Sequence, residues 1–146
     1  MSRRNVELVD SIYREFGQDW AMAATSPDLE RLADPEIEVD LSRRQLNPAV
    51  YEGYEGLRRS AREIREVWED WRIEPERFVD AGDRVLVVER YGGRGRESGL
   101  RLEDRAAAIW TLRNGRVVRV EIGIPIDEAF ASLGLTPPSP TSRTSR

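Results

Sequence analysis

The stretch Ala106-Ala107-Ala108-Ile109-Trp110-Thr111-Leu112-Arg113-Asn114-Gly115-Arg116-Val117-Val118-Arg119-Val120 decides the fold. Runs of apolar and β-branched residues flank Asn114-Gly115, a dipeptide that supplies the positive φ angles of a tight hairpin turn. Two antiparallel strands follow, over 100–112 and 116–124. Working backward, Gly82-Asp83 separates two more strand-like runs, 73–80 and 84–91, and Gly92-Gly93-Arg94-Gly95-Arg96 reads as the turn into the long strand. That segment also has the composition of an arginine-glycine RNA-binding box, but its place between two strands of an acidic chain favours the turn. It fails the dinucleotide fingerprint in its spacing. Ile37-Glu38-Val39-Asp40-Leu41 alternates like a further strand with one wet face.

Upstream the period changes. Val6, Val9, Ile12, Tyr13, Phe16 and Trp20 form a helical stripe ending near Gly17. Asp19 is placed to cap a short helix through Trp20 to Ala24, and Ser26-Pro27 opens another turn that Asp34-Pro35 stops. Leu57, Ala61, Ile64, Trp68 and Trp71 recur at spacings of four and three, which predicts a helix over 57–71. Pro125 ends the last strand, and a short closing helix is expected over 127–133. Helices first and strands later mean an α+β fold: three N-terminal helices on one face of a curved, mixed, mostly antiparallel sheet, closing a cone with a pocket inside. The expected domain spans 1–135. Pro137, Pro138 and Pro140 among Ser and Thr predict a disordered tail over 136–146.

With 146 residues the chain has room for one core of ordinary size. It has no cysteine, no histidine and no lysine, so all 23 basic residues are arginine. Thiol nucleophiles, Cys-ligated zinc, Schiff bases and the commonest general base are thereby excluded, and neither metal nor cofactor is expected. Catalysis is left to carboxylates, Tyr, Ser/Thr or Arg. The net charge of −4 argues against a nucleic-acid partner. No apolar run approaches the roughly 20 residues of a membrane span, so a cytoplasmic location is expected.

The segments Tyr13/Phe16/Asp19-Trp20, Glu36-Ile37-Glu38-Val39-Asp40, Tyr51-Glu52-Gly53-Tyr54-Glu55-Gly56-Leu57, Gly82-Asp83-Arg84-Val85 and Trp110 to Val118 together resemble the SnoaL-like branch of the nuclear transport factor 2-like superfamily. This superfamily includes ketosteroid isomerases, polyketide cyclases and limonene epoxide hydrolases, and the resemblance covers about residues 5 to 135. It implies the cone-shaped fold of that group and an apolar, carbonyl-bearing ligand. It also implies a catalytic pair: Asp40 as the base that moves a proton beside the carbonyl, and Tyr13 as the donor to the enolate oxygen. A second oxyanion donor in such enzymes sits two residues before an inward aromatic of the long strand. Counting back from Trp110, this chain has Ala108 there.

The residues themselves leave alternatives. Asp40 is a pocket base, or a strand-end aspartate capping the Ser42 loop and pairing with Arg43 or Arg44. Tyr13 is a donor, or an ordinary core aromatic. Alternation points Ala108, Ala106, Asp104 and Leu102 inward, and on the preceding strand Glu89 shares a face with Val85 and Val87. Both acids are expected near an open rim, where water reaches them. An acid facing the cavity instead replaces the donor missing at Ala108 by holding a proton at neutral pH. Arg43 is a ligand clamp or a solvated loop charge. The expected ligand-facing set is Trp20, Arg43, Tyr51, Trp68, Glu89, Asp104 and Trp110. The resulting activity is isomerisation or cyclisation by proton abstraction. Its alternative is a non-catalytic binding or dimerisation module, and an epoxide hydrolase built on Asp40, Asp104 and Asn47 is third. Leu86, Val88, Ile109 and Thr111 are expected to be exposed on the outer sheet face and to form a homodimer there.

Overall fold

The structure, a computed structural model, describes residues 2–16, 24–43 and 48–137. Helix α1 (Ser2–Phe16) and the single turn α2 (Leu29–Leu32) precede β1 (Ala33–Asp40), the short β2 (Val50–Glu52) and α3 (Gly53–Val67). Four long strands follow, β3 (Trp68–Ala81), β4 (Arg84–Gly95), β5 (Arg101–Arg113) and β6 (Arg116–Ile124), then α4 (Ile126–Ser132). They form one six-stranded sheet in the order β2-β1-β6-β5-β4-β3. All neighbours are antiparallel except β1 and β6. The expected α+β architecture, a mixed and mostly antiparallel sheet with helices, is therefore the one observed.

Alternation along the strands sorts the core into two layers. Ile37 and Val39 of β1, Val85 and Val87 of β4, Ala108, Trp110 and Leu112 of β5 and Val120 of β6 face Val9 and Tyr13 of α1 and Leu57 of α3. On the other face Leu86, Val88, Ala107 and Ile109 pack under Ala129 and Phe130 of α4. The side chains of both layers are largely buried, and this burial is the main force holding both sets of helices on the sheet. This second layer corrects one expectation. Leu86, Val88 and Ile109 are almost completely buried and Thr111 is half-buried, because the closing helix folds back over them. These four residues therefore do not form the exposed apolar patch on which the homodimer was expected.

Two boundaries also moved. The helix expected to run to Trp71 ends at Val67, and Trp68 and Trp71 belong to β3. Asp70, at φ 60°, adds an extra residue opposite β4, where the register shifts between Glu69 and Arg72. In a regular strand, positions three apart point to opposite faces. The bulge restores them to one face, so the indoles of Trp68 and Trp71 lie 5.4 Å apart and imitate a helical stripe. The Gly-rich turn is displaced as well: β4 continues to Gly95, and a Cβ at Gly93 would sit 3.1 Å from the Trp71 ring. Arg96 then closes α3, its backbone N–H donating to Val67 O and its Nε to Arg65 O. The helix expected from Trp20 to Ala24 lies outside the described residues except for Ala24, which is buried. The expected tail lies outside them from residue 138 onward.

Candidate functional site

Between α1, α2, α3 and the concave face of the sheet lies a cavity of about 60 Å³. Its wall is almost wholly apolar, with Ile12 and Phe16 of α1, Leu57 of α3, Ile37 of β1, Ile73 of β3 and Val120 of β6 among the residues forming it. The polar side chains on this wall are Tyr13 and Trp110. Sequence periodicity had marked the aliphatic members as core, and nothing in their identity distinguishes a lining residue from a filling one.

Tyr13 sits one turn from the end of α1, on its apolar stripe, and its ring meets Phe78 and Trp110 edge-on at centroid distances of 5.7 and 5.6 Å. Its hydroxyl donates to Glu89 Oε2 and accepts a hydrogen bond of 3.0 Å from Trp110 Nε1. A buried chain therefore runs from indole N–H to phenol to carboxyl. Glu89 comes from the middle of β4, where Ala106 of β5 and Pro75 of β3 are its register partners. It is only 3% exposed and touches the cavity through Tyr13, without being part of the wall. The rim position expected for it is therefore corrected. Alternation had given its face, but the depth comes from α1 and β3 closing over the strand.

Burial disfavours the charged form of Glu89 and outweighs the Tyr13 hydrogen bond, which favours it, so its pKa is raised to about 7. Burial, followed by the charge and hydrogen bond of Glu89, pushes the Tyr13 phenol well above its ordinary range. At neutral pH the pair thus holds its phenolic proton and shares a carboxyl poised between acid and base. Tyr91, half-buried on the same strand, is raised by burial and then by the charges of Asp104 and Glu89.

Asp40 is elsewhere. Since Ile37 and Val39 face the core, Glu38 and Asp40 point to the opposite face of the sheet, where Arg119 Nη1 and Nη2 donate to Glu38 Oε2 (2.9 Å) and Asp40 Oδ2 (2.8 Å). Its other oxygen accepts from the Ser42 backbone N–H (2.9 Å) and hydroxyl (2.6 Å). Partial burial works to raise its pKa, but the Ser42 hydrogen bonds and the Arg119 and Arg43 charges outweigh it and hold the carboxyl below the usual range. Asp40 is a loop cap locked in an ion pair, and the role of pocket base is corrected for it.

The other expected ligand contacts divide. Trp110 lies on the cavity wall. Trp68 stacks on Trp71 farther along the concave face and does not fill the cavity. Tyr51 is buried, its hydroxyl donating to Glu63 and its ring lying 4.9 Å beneath the Arg59 guanidinium. Arg43 pairs with Glu128 of α4, on the sheet face away from the cavity. Asp104 is exposed, one of its oxygens accepting from the Arg105 backbone N–H. Trp20 and Asn47 lie outside the described residues. The Asp40 and Asp104 of the epoxide-hydrolase reading are thus not brought together. Among the described residues no group of acidic side chains is arranged to hold a metal ion, and no helix is long and apolar enough to cross a membrane.

The fold can be compared directly with solved structures. A putative SnoaL-like polyketide cyclase from Jannaschia sp. CCS1 superposes with a TM-score of 0.63 at 20% identity, over 82% of this chain and 83% of that one. A nuclear transport factor 2-like protein from Burkholderia xenovorans LB400 gives 0.62 at 25% identity, over 82% and 87%. A putative isomerase from Rhodopseudomonas palustris gives 0.60 at 15% identity, over 78% and 86%. Among curated proteins none matches the chain. The model of the SnoaL-like domain matches residues 13–120, a span that begins at the cavity tyrosine and ends at the cavity-lining valine of β6, and the chain belongs to that family.

Proposed function

We propose that the cavity binds a small apolar molecule through a carbonyl group, and that Tyr13 and Glu89 polarise this carbonyl for proton transfer at the adjacent carbon, as in an isomerase or cyclase. The observation that carries the reading is the chain Trp110–Tyr13–Glu89, the one polar constellation at this wall among the described residues. When Glu89 holds a proton, its O–H donates to the Tyr13 oxygen alongside Trp110, and the Tyr13 proton is released toward the ligand. Two donors on one phenol oxygen strengthen the hydrogen bond that this phenol gives. A water molecule takes the proton from the adjacent carbon and returns one to the product, while the enolate oxygen that develops beside Tyr13 meets a preorganised donor. Glu89 is then a positioning residue and proton store acting through Tyr13.

A binding-only module is the second reading, and one observation favours it: Glu89 does not reach the wall and Asp40 faces the other side of the sheet, so among the described residues no carboxylate lines the cavity. Deuterium incorporation beside the carbonyl of a panel of small cyclic ketones in heavy water separates the two. The proton-transfer reading expects exchange that Tyr13→Phe lowers by about 100-fold, the scale of a lost oxyanion donor, and that Asp40→Asn leaves unchanged. Binding of the ketones without exchange leaves the second reading.

A further inference from the structure

In its ionised form Glu89 poses a problem that a neutral ligand does not solve. Among the described residues no arginine pairs with it, and its one hydrogen bond comes from Tyr13. An ionised carboxylate held this deep is costly unless a cation reaches it. The described elements next to it bring none: Pro75 of β3 and Ala106 of β5 are its register partners and Tyr13 comes from α1, while Tyr91 is the neighbouring titratable group on its own strand. Next to the pair lies an apolar cavity walled by three aromatic rings, Tyr13, Phe16 and Trp110.

The hydrogen-bond valence of Tyr13 points the same way. A phenol gives one hydrogen bond and accepts two. With Glu89 ionised, the Tyr13 proton goes to the carboxylate and one lone pair takes the Trp110 N–H, which leaves one lone pair for a ligand that donates. We propose that the cavity takes a small protonated amine, which donates an N–H to Tyr13 Oη, rests its alkyl groups on the aromatic rings and balances the charge of the Glu89 carboxylate through the phenol. Aromatic faces attract ammonium groups, and the attraction grows when water is excluded. The inference uses the same Tyr13–Glu89 pair as the carbonyl reading but requires the other protonation state, so the two ligand classes have opposite pH dependence.

The test uses two probes of nearly identical shape, isopropylamine and acetone, titrated separately into the full chain while the Trp110 indole N–H resonance is followed. Isopropylamine stays protonated from pH 6 to pH 8, whereas Glu89, with its midpoint at about 7, goes from mostly neutral to mostly ionised. If only the ionised form binds the amine, its apparent affinity rises about tenfold over that range, and Glu89→Gln abolishes the rise. An amine affinity that changes by less than about threefold, or that falls, overturns the proposal whatever acetone does. If Glu89→Gln fails to fold, the slope of the unaltered chain decides. Acetone tests the other reading separately: its affinity is expected to fall with rising pH, and a flat or rising acetone curve counts against carbonyl binding while leaving the amine result intact.

Discussion

Glu89 and Asp40 are both strand carboxylates of one sheet, and the sheet treats them in opposite ways. The concave face encloses Glu89 with a phenol and, among the described residues, no cation, and its pKa rises to about 7. The convex face gives Asp40 a guanidinium and two hydrogen bonds from Ser42, and its pKa falls. Desolvation dominates the first and specific partners the second, although both side chains are largely covered: Asp40 is 15% exposed. The difference shows that partnership, more than depth, decides which acid is available for chemistry.

The largest expected effect is on stability at Glu89. Its carboxyl releases its proton near 4.5 when unfolded and near 7 when folded, so the native state retains the proton through that interval and the unfolded chain does not. Stability from this group is full below pH 4.5 and declines as pH rises to 7, by about 3 kcal/mol in total, since each pKa unit is worth about 1.4 kcal/mol. Glu89→Gln removes this component. Urea unfolding of the variant and the unaltered chain at pH 5 and pH 8 is expected to show the variant gaining relative stability at the higher pH, and a constant difference breaks the contrast.

Next in size is Trp110→Phe, which deletes the indole donor to Tyr13 and leaves a small void. A loss of about 2 kcal/mol is expected in thermal or urea unfolding. Asp40→Asn follows at about 1 kcal/mol, for a partly exposed ion pair and a loop cap. Its contribution has the opposite pH sign: it is present at neutral pH and lost as pH falls through the lowered pKa of Asp40, which acid titration of the variant against the unaltered chain measures. The smallest effect is expected from deleting residues 137–146, a Pro/Ser/Thr segment without an aliphatic or aromatic side chain, which leaves the melting temperature within the equivalent of about 0.5 kcal/mol.

Much of this architecture is legible in the sequence, because hydrophobic alternation and Asn114-Gly115 specify the hairpin of β5 and β6 locally. The end of α3 is not, since one bulge at Asp70 makes two strand tryptophans keep a helical spacing. The site was legible in part. Tyr13 and Trp110 stand on the apolar stripes that predict the core. For Glu89, alternation with Val85 and Val87 gives the face but cannot give the depth, which comes from chain segments far away in sequence. Asp40 carries a different lesson: the family position suggested a pocket base, while Ile37 and Val39 beside it already required the next residue to face away.

The central claim is that Glu89 is a buried acid poised at neutral pH beside the cavity tyrosine. A carbon-13 NMR titration of side-chain carboxyl resonances, with Glu89 and Asp40 assigned by Glu89→Gln and Asp40→Asn, tests it most directly. The account predicts a Glu89 midpoint at about 7 and an Asp40 midpoint below the ordinary aspartate value of 3.8. A Glu89 midpoint near 4.5, the value of an exposed glutamate, would contradict it.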